Sequence, residues 1–141
     1  MEYDFETLAK EIAAGLRDDA NAPADAADAA RKTVVAAVAG TRGRQDPHLT
    51  VSSVCRGIMA GMALQEKDLA ATAVALLGQM ATAAQEASLD PADCMTWAME
   101  GIAPVAKVAH AGAADAIRSA IEENFMGAGE VFDRLLSESG A

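Results

Sequence analysis

The chain has 141 residues and a formal charge of −10, from 11 Lys and Arg against 21 Asp and Glu. This length suits one domain with a core of its own. The acidity argues against a nucleic-acid partner, since a binder needs a basic face to displace counterions from phosphates.

Just over half the residues are apolar, and the aromatics are Tyr3, Phe5, Trp97, Phe125 and Phe132 alone. Alanine supplies most of the rest, and it favours helix because it has no side-chain entropy to lose. No window alternates β-branched and aromatic residues with period two. The fold class expected is all-α: a helical bundle or short α-solenoid built from about three tandem helical hairpins.

In chain order, the first helix is predicted over residues 3–19. Phe5, Leu8, Ile12 and Leu16 recur there at three- and four-residue steps, one apolar face of a helix. The acidic start, Met1 to Glu6, lacks the basic region of a secretory signal, so a cytoplasmic protein is expected. The second helix is predicted over 23–40. It ends at Gly40-Thr41-Arg42-Gly43-Arg44, a turn whose Arg42 and Arg44 are candidates to grip a phosphate or an acidic partner. His48 and His110, the only histidines, read as structural or surface residues, with His110 in mid-helix.

A third helix is predicted over 47–65 and a fifth over 91–103, each opened by an Asp-Pro pair. The carboxylate caps free N–H groups, and Pro at the first position has no N–H to leave unpaired. Between them lies 68–88. Its uncharged stretch from Leu69 to Gln85 is short for a membrane span and is broken by Thr72, Gly78, Gln79 and Thr82, so no transmembrane segment is expected. Pro104, inside a helical pattern, is expected to kink the helix or restart it there, with the next helix read over 104–125. A last helix, 129–138, follows Gly127-Ala128-Gly129, with Val131, Phe132, Leu135 and Leu136 on one side. It reads either as a lid on its own core or as a hinged helix that docks in a groove elsewhere.

The chain repeats. Asp46-Pro47 leads to Arg56-Gly57-Ile58, and Asp90-Pro91 leads at the same spacing to Glu100-Gly101-Ile102. A weaker copy runs from Asp4 to Gly15-Leu16. The units are 4–45, 46–89 and 90–132 in a single domain, 1–141. Glycine at this register permits close approach of a neighbouring helix or ends its own.

Motifs for chemistry are absent from the sequence. It holds no G-x-S-x-G, no Cys-His signature, no phosphate-binding Gly-Lys-Ser/Thr and no Glu-x-x-His pair, so no enzyme, catalytic residue or cofactor is expected. Cys55, Met59 and Met62 fall on one helical face, with Cys94, Met95 and Met99 in the next unit. Thiolate with thioethers suits Cu(I), whereas Met and free Cys in an Ala-rich core also serve plainly as packing. Trp97 stands at the repeat position of Ser53, either as a core anchor or as a contact residue.

With Val34-Val35-Ala36-Ala37-Val38-Ala39-Gly40, then Asp46, then Arg56-Gly57-Ile58-Met59-Ala60-Gly61, the chain resembles an uncharacterised bacterial family of Ala-rich helical proteins. That family is similar at a distance to phasins, amphipathic helical proteins that coat polyester granules. The likeness spans residues 25–125 and carries no functional residue across. The leading reading is a non-catalytic interaction or scaffold protein that self-associates or binds a protein partner. Its candidate contacts are Arg42, Arg44, Trp97, Phe132, Leu135 and Leu136. An amphipathic coat on a lipid or polymer granule and a small soft-metal or ligand carrier stand beside it.

Overall fold

The computed structural model describes residues 5–41 and 46–138. They form seven helices and, among the described residues, no strand: α1 (Phe5–Ala14), α2 (Ala22–Thr41), α3 (Pro47–Leu64), α4 (Leu69–Glu86), α5 (Pro91–Val108), α6 (Ala113–Asn124) and α7 (Ala128–Glu138). Arg42 and Arg44 lie outside the described residues.

Aspartate begins three of these helices. Asp46 accepts from His48 N at 3.0 Å, Asp68 from Ala71 N at 3.0 Å and Asp90 from Asp93 N at 3.1 Å. The ends of α3 and α4 use no glycine. Glu66 and Ser88 take the left-handed conformation instead (φ 55° and 58°), and the next N–H reaches back to Met62 O and Ala84 O. This is the Schellman closure, which satisfies carbonyls the helix leaves free.

The helices form two rows. In one, α3 packs on α1, α5 on α3 and α7 on α5; in the other, α4 packs on α2 and α6 on α4. Within the first row, neighbours run parallel. Gly57 lies against Glu6 and Ala9, Gly61 against Lys10 and Ala13, and Gln65 Nε2 donates to Ala13 O at 2.7 Å. From α3 to α5 the order is kept: His48 meets Trp97 and Glu100, and Ser52 meets Gly101.

Glycine makes these approaches possible. A Cβ added at Gly57 would lie 2.3 Å from Glu6 O, and one at Gly101 would lie 2.2 Å from Ser52 O. Both contacts are with backbone, which cannot move aside. Gly57 and Gly101 thus occupy like positions in successive units.

Between the rows lies the core. It includes Val34, Ile58, Leu76, Leu77, Met80, Ile102, Ile117, Ile121 and Phe132, all wholly buried. Arg31 fastens the second row from outside. Its Nε donates to Gln79 Oε1 at 2.8 Å, and its guanidinium pairs with Glu86 at 2.7 Å and Asp28 at 2.8 Å.

Two boundaries differ from expectation. α5 runs through Pro104 to Val108, and the break falls at 109–112, where Gly112 takes φ 85°. Proline removes one helical bond, to the Glu100 carbonyl, but Pro104 faces an outer groove rather than the core. His110 therefore sits in the turn and not in mid-helix. α1 ends at Ala14, before Gly15, and tight turns carry the chain on to α2.

Candidate functional site: the outer face of α3 and α5

The parallel register of α3 and α5 places side chains next to one another that stand about fifty residues apart in sequence. The His48 and Trp97 rings stack at 5.1 Å between centroids, 13° from parallel. His48 Nε2 hydrogen-bonds Glu100 Oε2. A carboxylate can only accept, so the imidazole carries its proton on Nε2. Ser52, one turn beyond His48, donates its hydroxyl to Leu49 O at 3.2 Å and not to the imidazole. The arrangement is a half-exposed aromatic and charged brace between two helices, without a paired nucleophile and base.

Further along the same face, Ala60 forms the floor of a groove of about 220 Å³. Glu6 and Lys10 of α1 stand on one side, Pro104, Val105 and Val108 of α5 on the other, with Arg56 at one end. Arg56 Nε pairs with Glu6 at 3.1 Å. Val108 is 82% exposed, and Leu64, one turn beyond Ala60, is 81% exposed. The two occupy like positions at the ends of parallel helices. A second hollow of about 360 Å³ lies round the corner, between the α3–α4 and α5–α6 turns, lined by Ala63, Glu66, Lys67, Leu69, Ala109 and His110.

The sequence candidates divide sharply. Trp97 is half-buried: it packs against the core edge and also meets His48 on the surface. Phe132 is wholly buried and Leu135 is 7% exposed, while Leu136 is half-buried against the core. Helix α7 is a lid folded onto α5 and α6, so in this structure its apolar side is not a docking stripe.

Nor does the Gly127-Ala128-Gly129 segment act as a free hinge. The Glu122 carboxylate accepts from Gly127 N at 3.0 Å and from Gly129 N at 3.0 Å. Those two backbone N–H groups hold its pKa below the ordinary glutamate value, Gly127 contributing most. Lys107 Nζ also donates to Leu136 O at 2.9 Å, and Arg118 pairs with Asp133 at 3.0 Å.

Of the six sulfur candidates, Met95 is half-buried and the other five are interior. Cys55, Met59 and Met62 are wholly buried, and Cys94 and Met99 nearly so. Burial pushes the Cys55 thiol up to about 12, helped by nearby Cys94. Burial, then Asp93 and Asp90, pushes Cys94 up to about 11. Among the described residues, no group of three or more His, Cys, Asp or Glu is placed to hold a metal ion. No helix there is long and apolar enough to cross a membrane.

The His48–Glu100–Trp97 brace and the Arg31 clamp escape sequence reasoning. Each joins helices far apart in sequence, the brace across the glycine-set register of α3 and α5 and the clamp across the α2–α4 packing, and a linear pattern does not state either register. The chain matches no protein-family model, no curated protein and no solved structure.

Proposed function

We propose that the protein is a non-catalytic helical interaction protein, a scaffold that binds a protein partner or a second copy of itself. The observation that carries this reading is the pair Leu64 and Val108, two large apolar side chains held in solvent at adjacent helix ends beside the Ala60 groove. A lone exposed apolar residue is ordinary, but two at like repeat positions near a groove of mixed polar and apolar lining favour a contact surface. Next to them Lys10 and the Arg56–Glu6 pair supply a polar rim, the anatomy of protein interfaces.

The test is purification of the native protein from its own cell, alongside a Leu64→Lys, Val108→Lys variant. A protein partner present at stoichiometric level with the wild type and lost from the folded variant supports the reading. A wild type that neither holds a stoichiometric partner nor self-associates overturns it.

A further inference from the structure

Two hollows share α3 and the end of α5 as walls. Ala60 and Val108 line the first, Ala63 and Ala109 the second. Along α3, Ala60 and Ala63 stand about 5 Å apart, nearly one helical turn. Leu64 follows Ala63, and both it and Val108 stand in solvent. The hollows are therefore two steps of one surface. Their spacing is that of apolar side chains one turn apart on a docked helix.

Charge indicates what such a helix carries. The chain has a net charge of −10, yet cations gather at these hollows. Lys10 and Arg56 border the first, Lys67 and His110 the second, against Glu6 and Glu66. Arg56 already engages Glu6. Among the described residues neither Lys10 nor Lys67 forms an ion pair, although Asp19 lies near enough to Lys67 to sense its charge. One ammonium group at each hollow is thus open to a carboxylate from outside. Opposite charge at the rim fixes register and turns away basic partners.

Other occupants lack what this surface asks for. Lys10, Arg56 and Lys67 fall short of the roughly 4–8 clustered basic residues that hold an anionic lipid surface. A second folded copy has no acidic helix with a free apolar side. Helix α1 turns Phe5 and Ala9 into its own core, α6 turns in Ile117 and Ile121, and α7 turns in Phe132 and Leu135.

We propose that this surface binds an acidic amphipathic helix of another protein, with apolar side chains seated over Ala60 and Ala63 and carboxylates on Lys10 and Lys67. The proposal rests on the interaction-protein reading and names the partner's chemistry within it. It is tested on the full chain by fluorescence anisotropy with three labelled synthetic helical peptides. One has leucines a turn apart flanked by glutamates, one has lysines in place of the glutamates, and one keeps the glutamates but has glutamine for leucine. The first is expected to bind ~10-fold or more tightly than either other, and less tightly as salt rises. Lys10→Gln and Lys67→Gln should each weaken it about 3-fold. Lys10→Glu with Lys67→Glu, folded by circular dichroism, should prefer the basic peptide. No binding of the acidic leucine peptide, equal binding of acidic and basic peptides, or neither glutamine variant weakening it overturns the proposal, as does an unreversed preference in the folded double variant. A native partner lost on Leu64→Lys, Val108→Lys but kept by the double charge variant overturns the acidic helix alone and leaves the interaction surface standing. A wild type with neither a native partner nor a second copy overturns the interaction-protein reading, and the proposal with it.

Discussion

The row of α1, α3 and α5 and the row of α2 and α4 hold together by opposite means. In the first, backbones meet directly because Gly57 and Gly101 bring nothing between them. In the second, α2 buries Ala26, Ala27, Ala30 and Val34, whereas α4 buries Leu76, Leu77 and Met80. Small side chains stand across from large ones there, and the Arg31 clamp closes the outside. One row has no room for an added atom; the other depends on the atoms it has. Similar Ala-rich helices thus carry opposite sensitivities, set by what faces each position and not by residue type.

This contrast is open to measurement by denaturant unfolding. Leu77→Ala should cost about 3–4 kcal/mol, because wholly buried Leu77 leaves a cavity that rigid helices fill poorly. A cost under about 1 kcal/mol would mean that the second row collapses freely and does not depend on its large side chains.

Gly101→Ala should cost about 2–3 kcal/mol, the upper part of the range for overpacking, since the new methyl meets the Ser52 carbonyl. Gly57→Ala should behave alike against Glu6 O. A neutral outcome at both positions would show that the first row is not held by backbone contact.

Gly78 is the control. It lies exposed in the middle of α4, and an added Cβ there meets nothing within 4 Å. Gly78→Ala should stabilise by about 0.5–1 kcal/mol, through helix propensity alone. Destabilisation would place an unseen contact on the outer side of α4.

The smallest effect expected concerns the lid. Glu122 is more acidic folded than unfolded, so the stability it adds is present above the ordinary glutamate range and is lost as pH falls through its depressed native value. Glu122→Gln should flatten the acid side of the melting curve around that window and leave neutral-pH activity in partner binding unchanged. Identical acid melting curves for the two proteins would mean that the carboxylate does not fasten α7.

The sequence by itself determined the helical class, because alanine-rich stretches without period-two patterning have one low-energy backbone. It also determined the starts of α3 and α5, because Asp-Pro acts on N–H groups within a few residues. Asp-Pro spacing likewise marked Gly57 and Gly101 as like positions. Tertiary structure alone decided the rest. Pro104 stays inside α5 because its missing bond falls on an outer groove. Phe132 covers its own core because α5 and α6 lie within reach and Glu122 pins the turn. Trp97 meets His48, and Val108 borders the Ala60 groove, only because glycine contacts fix two parallel helices in register. A local pattern specifies bonds between near neighbours in the chain; the outer face is built from residues that only packing makes neighbours.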